Sequence, residues 1–225
     1  LTRRTLAAGL LFLSGGAAEP APHRVVSIGA CLDPILLALA DPGQIAALSH
    51  LCWARRTPRP AGRAPSGRCG RRGPSGEALI LRMETALAAA APKPGEPRLR
   101  ALVYQSGGLA AGPATLLGEM LERCGFENGA ARYGLRKWGS VSLERVLADP
   151  PQVLLAGARA EGAPTWADRV IDHPALESLR PRTFRAGFPQ KLIYCGGPVL
   201  IETAKVLAKA RRRAEAWARQ RSLRD

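Results

Sequence analysis

Five cysteines, Cys31, Cys52, Cys69, Cys124 and Cys195, are the residues most able to do redox or metal chemistry. No two of them form a C-x-x-C pair, which argues against both a zinc site and a thioredoxin motif. Their number is odd, and an oxidising compartment would permit a disulfide, but sequence leaves the pairing open. His23, His50 and His173 are dispersed, without the i, i+4 or carboxylate spacing of a metal site, which disfavours capture of a bare divalent ion. Ser106-Gly107-Gly108 is no phosphate loop, because G-x-x-x-x-G-K-[ST] is absent, and no G-x-S-x-G nucleophile elbow occurs. With no catalytic constellation, the chain reads as a non-enzyme that uses no cofactor.

The charge pattern is the next chemical signal. The 225 residues carry a formal net charge of +15, which by itself suggests nucleic acid or an anionic surface. The excess is concentrated. Leu51–Gly76 holds Arg55, Arg56, Arg59, Arg63, Arg68, Arg71 and Arg72 and no acidic residue, and a second cluster is Arg211–Arg213 with Arg219, Arg221 and Arg224. No aromatic residues interleave with the first cluster as a single-strand platform requires. A solvated basic tail and an anomalous insert account for the pattern without nucleic acid. The competing function is a basic nucleic-acid-binding protein acting through residues 55–72.

The elements that must position any site follow from periodicity. Thr2-Arg3-Arg4-Thr5 precedes an apolar run from Leu6 to Leu13 and then small residues to Ala18. That is the layout of a secretory signal over residues 1–22, and the paired arginines permit twin-arginine export. The run is short against the roughly 20 residues of a membrane-spanning helix. His23–Gly29 reads as a strand, Asp33–Ala40 as a helix with Pro34 in its first turn, and Ile45–Ser49 as a second strand, together a parallel βαβ unit. Residues 51–76 break regular structure with Pro58, Pro60, Pro65 and Pro74. Helical spacing resumes from Glu77 to about Leu87. Beyond it come a strand at Leu99–Gln105, helices at Thr115–Cys124 and Ser142–Leu147, and a strand at Val153–Gly157. A helix at Trp166–Ile171, a strand at Thr183–Ala186 and a long helix at Pro198–Trp217 complete the pattern. Alternating strands and helices predict an α/β lobe of three layers.

Several of these stretches resemble a known family. Arg24–Ile28 with Asp33–Leu39 and Ile45–Ser49 looks like the opening of the periplasmic iron-siderophore, haem and cobalamin-binding proteins of ABC importers. Glu119–Asn128, Trp138–Leu147 and Asp149–Leu155 match their later patterns, and Tyr194-Cys195-Gly196-Gly197-Pro198 resembles the segment before their last helix. The resemblance implies two three-layer α/β lobes joined by a long helix, with ligand held between them. It implies an extracytoplasmic, periplasmic location, delivery to a membrane permease, and a monomer. Family members carry more sequence between the second strand and the helix near Glu77, so the amino-terminal lobe is expected to be truncated. A deletion or an out-of-frame reading fits the Arg/Pro/Gly run, and a degenerate copy that no longer transports is a further alternative. The expected organisation is 1–22 signal peptide, 23–50 partial amino-terminal lobe, 51–76 irregular segment, 77–98 linking helix and loop, 99–217 carboxy-terminal lobe and 218–225 basic tail.

The same resemblance places ligand contacts on loops at strand carboxyl ends. Cys31, Ser106, Gly107, Trp138, Phe188, Tyr194 and Cys195 are the expected ligand-binding residues, for an iron chelate, haem or cobalamin. Trp138 stands out, because a ring on a loop stacks on a flat ligand at low entropy cost; a packed Trp is its competing role. Cys31 and Cys195 either pair, contact ligand or remain buried thiols. Arg132, Arg136 and Lys137 are candidates for attracting an anionic chelate, against ordinary surface charge. Glu144 is the candidate permease-docking acid.

Overall fold

Which residues become strands is decided by where their side chains find cover. The computed structural model describes residues 24–29, 31–48, 74–157 and 166–223. The longest strands, β3 (Leu99–Tyr104) and β7 (Val153–Gly157), are apolar on both faces. They pair in parallel, Ala101 opposite Val153 and Tyr104 opposite Ala156. Strands of that kind are stable only when both faces are covered. Here the period of two sends Ala101, Val103, Val153 and Leu155 into one core, and Leu102, Tyr104 and Leu154 into another.

Six strands build this sheet. β8 (Phe184–Phe188) extends it in parallel beyond β7. On the other edge of β3, β5 (Phe126–Asn128) pairs in parallel with its first half, and β4 (Leu109–Ala111) pairs antiparallel with its end. β6 (Trp138–Ser140) is antiparallel to β4, so the order runs β6-β4-β3-β7-β8. One face is covered by α2 (Pro74–Ala90), α3 (Leu116–Arg123) and the long α7 (Val199–Ser222), through Ala90, Leu117, Leu121, Ala204 and Leu207. The other is covered by α4 (Leu143–Ala148), α5 (Asp168–Ile171) and α6 (Pro174–Glu177), through Val146, Ile171 and Leu176. The three-layer expectation therefore holds.

The helix ends are chemically explicit. The Thr115 hydroxyl oxygen accepts from the Gly118 N–H at 3.0 Å, capping α3, and Gly125 at φ +85° turns the chain out of it. At Gly118 a Cβ would lie 2.4 Å from the Gly112 carbonyl oxygen, so the first turn of α3 meets that loop backbone to backbone. Arg211 on α7 is 7% exposed, and its Nη1 meets Glu96 at 2.6 Å and Glu215 at 2.9 Å. It thereby ties α7 to the connection between α2 and β3. Arg211→Ala leaves Glu96 and Glu215 without their cation and should cost about 2–3 kcal/mol in chemical denaturation. Arg211→Met, which fills the same space without the buried charge, should cost clearly less; equal losses would mean that volume and not pairing is what matters.

The amino-terminal element is smaller. β1 (Val25–Val26) and β2 (Ile45–Ala47) pair in parallel, with α1 (Asp33–Leu39) between them, giving the expected βαβ order. Both strands are shorter than expected. Val26 and Ile28 remain exposed, so little buried apolar surface supports longer pairing. Other boundaries shift as well. α2 begins at Pro74, inside the stretch expected to be irregular; α5 begins at Asp168, not Trp166; β8 runs on to Phe188; and α7 continues past Trp217 to Ser222. The short β4, β5, β6 and α6 were not expected. Residues 1–22 and the Arg55–Arg72 run lie outside the described residues. Among the described residues no helix is long and apolar enough to cross a membrane.

Candidate functional site

Trp138 and Tyr194 come together from distant parts of the chain. Their ring centroids are 5.9 Å apart with planes tilted by 32°, and the side chains stay 38% and 56% exposed. Backbone pairing holds Trp138 in place: Ala111 lies opposite it in the sheet. The Gly112 N–H donates to the Lys137 carbonyl at 3.0 Å and the Ala114 N–H to that of Arg136 at 2.7 Å. Tyr194 is delivered by the turn after β8. That turn is fixed by Leu192 and Ile193 in the core and by Lys191 pairing with Glu202 of α7 at 2.7 Å. Two aromatic rings left in solvent on well-held backbone are unusual.

Beside them Cys31 and Cys195 form a disulfide, with Cα atoms 5.0 Å apart. The Cys31 sulfur is also 3.9 Å from the Tyr194 carbonyl oxygen. The bond links the amino-terminal element to the segment that carries Tyr194. Contacts of the same kind continue on either side: a Cβ on Gly197 would fall 2.7 Å from Ile35 Cγ1, and one on Gly196 would fall 3.5 Å from Leu116 Cδ2. Leu116 is largely exposed. Trp138, Tyr194, Leu116 and the disulfide thus form one apolar surface at the junction of the two sheets.

The other expected residues divide. Ser106 and Gly107 follow the carboxyl end of β3 but are occupied in packing α5. The Ser106 hydroxyl donates to the Asp168 carboxylate, and the Gly107 N–H to the Ala167 carbonyl at 2.8 Å. Phe188 is a correction. Its side chain has no exposed surface and belongs to the core under α7, because the strand period at Ala186 and Phe188 points both inward, so it cannot touch a ligand in this conformation. Arg132 is held by Asp149 at 2.7 Å, while Arg136 and Lys137 stay in solvent beside Trp138. Asp149, held by Arg132 and then Arg100, is kept below the usual carboxylate range. Glu144 is exposed, its carboxyl lowered by its own backbone N–H and by the Ser142 hydroxyl.

Two members of the junction, Leu116 and Ile35, were not anticipated. Leu116 carried a signal: it directly follows the Thr115 cap, off the helix face that Leu117, Met120 and Leu121 bury. Gln105, at the end of β3, is 4% exposed and its Nε2 has no partner among the described residues. Of the remaining cysteines, Cys124 is buried and free, and burial raises its thiol to about 11, which makes it a packing residue. Cys52 and Cys69 lie outside the described residues. Among the described residues no cluster of three metal-ligating side chains occurs. His173 caps α6, its Nδ1 accepting from the Ala175 N–H at 3.1 Å.

Comparison with known proteins completes the description. Residues 72–181 match the model of the periplasmic binding protein family. Similar solved structures include the periplasmic heme-binding protein RhuT from Roseiflexus sp. RS-1 in apo form, 25% identical over 60% of this chain and 56% of that one, with a TM-score of 0.44. An ABC-type Fe3+-hydroxamate transport system protein from Saccharomonospora viridis is 23% identical over 60% and 49%, with a TM-score of 0.46. Helicobacter pylori CeuE with Ni(II) bound is 17% identical over 61% and 46%, with a TM-score of 0.48. The chain spans about half the length of these structures. Among curated proteins none matches. The family match, over residues 72–181, runs from α2 to the approach of β8 and takes in just under half of the chain.

Proposed function

We propose that this protein is the solute-binding component of an ABC importer, exported to the periplasm, that captures an iron chelate, haem or cobalamin and passes it to a membrane permease. The observation that carries this is the exposed Trp138–Tyr194 pair at the junction of the two sheets. A flat, largely apolar ligand stacked on two pre-positioned rings gains contact area without ordering new side chains. Arg136 and Lys137, in solvent next to Trp138, would draw in an anionic chelate. The amino-terminal element supplies Cys31 and Ile35 to the same surface, and in this reading it is a partial second lobe with α2 as the link. Glu144 is the proposed permease contact.

The test is ligand-dependent thermal stabilisation of the full chain with haem, cobalamin and a panel of ferric siderophores. A true ligand at 100 times its dissociation constant should stabilise by about 2.7 kcal/mol, and the response should fall at least about tenfold in affinity in Trp138→Ala or Tyr194→Ala. A folded protein that responds to none of them would sink the proposal and favour a copy that no longer transports.

A further inference from the structure

The aromatic surface is held by a bond that thiol chemistry can open. Cys31 and Cys195 are only half-buried at the junction of the two sheets. Cys124, in contrast, is sealed in the core. Among the described cysteines, thiol exchange is therefore confined to the bonded pair.

What the bond joins is weakly fixed by other means. In the amino-terminal element Leu36 is the one buried apolar residue among those described, while Val26, Ile28, Leu32 and Leu37 stand in solvent. Little apolar burial would keep that element in place once the sulfurs part. On the other side, Ile193 is locked in the core and Thr203 and Ala204 are buried along α7. Between them, Tyr194, Cys195, Gly196, Gly197 and Pro198 are not buried. Gly197 sits at φ +75°, and two successive glycines leave the backbone there with little stiffness of its own. The neighbours that brace this stretch are Leu116 near Gly196 and Ile35 near Gly197, and Ile35 belongs to the amino-terminal element. One covalent bond thus governs both the element and the placing of the Tyr194 ring against Trp138.

We propose that the Cys31–Cys195 bond is a redox latch on the ligand surface, opened by an external dithiol that loosens the Tyr194 segment and dissolves the stacked pair. A thiolate of the dithiol attacks one sulfur, the S–S bond breaks, and the other cysteine leaves as a thiolate and takes up a proton. The second thiol of the reagent then displaces the remaining cysteine from the mixed disulfide. Two electrons and two protons pass to the protein, and the dithiol becomes a disulfide. The latch rests on the proposed function for what it regulates, not for whether it opens.

The experiment treats the full chain with dithiothreitol and reads the state of residues 31 and 195 by alkylation and peptide mass. Acrylamide quenching of indole emission, taken as the difference between the unaltered chain and Trp138→Phe, follows Trp138. Both cysteines should become alkylated while far-UV dichroism is kept, and Trp138 should become more accessible to the quencher. Haem is the ligand probe: Cys31→Ser/Cys195→Ser should bind it about tenfold more weakly than the oxidised chain, a typical coupling between two sites. A bond that opens only as the whole chain unfolds would overturn the proposal. So would unchanged quenching of Trp138 with both cysteines alkylated, or equal haem affinity in the two proteins. An oxidised chain that binds no haem counts against the function and not the latch, which the Trp138 readout still decides.

Discussion

Phe188→Ala lowers the stability of this protein by about 3–5 kcal/mol, while Trp138→Ala costs about 1 kcal/mol. Both residues were expected to line a ligand site, and the fold separates them. Phe188 has no exposed surface and packs with Ala186, Leu192 and the buried face of α7. Truncating it removes the transfer energy of the ring and leaves a cavity between sheet and helix that neither can close fully. Trp138 keeps more than a third of its surface in water and loses mainly its contact with Tyr194. Denaturant titration of the two variants measures this contrast directly. Similar losses for both would place Trp138 in the core and remove the exposed pair on which the proposed function rests.

The second large effect belongs to the disulfide. Cys31 and Cys195 are separated by 164 residues. Cross-linking so long a loop restricts the unfolded chain strongly, and by the chain-entropy estimate is worth about 4–5 kcal/mol. The folded side of the balance points the same way. β1 and β2 are short, and α1 packs on α2 through few residues, so the amino-terminal element has little else to hold it. In Cys31→Ser/Cys195→Ser the unfolding midpoint should fall accordingly. Amide exchange at residues 25–47 should approach that of an open segment, while β3 and β7 stay protected. An unchanged midpoint with and without reductant would show that the bond contributes nothing.

How much of this was legible in the residues depended on how local the cause was. The core strands announced themselves, because Leu99–Tyr104 and Val153–Gly157 are apolar on both faces and only a covered parallel strand tolerates that. Thr115 and Gly125 marked the ends of α3 through capping chemistry that needs no tertiary context. β4, β5 and β6 were invisible because strands of three residues lack a period; they exist through pairing with β3 and with each other. Trp138, Tyr194 and both cysteines stood out as single residues, yet their meeting, and the sulfur–sulfur bond, depend on a separation in sequence that no local pattern encodes. Phe188 was misplaced because the strand was expected to end at Ala186, leaving Phe188 on a loop; β8 runs on to Phe188, and the period of two turns its ring inward with Ala186.

The bond between residues 31 and 195 also changes what it means to break the main chain. Every peptide link from Leu32 to Tyr194 lies inside a closed covalent ring, the arginine-rich stretch included. A protease that cuts once in that interval opens the ring into two chains still joined through the sulfurs, with the original mass plus one water, and releases no fragment. Only a second cut, or electrons delivered to the sulfurs, would part the pieces.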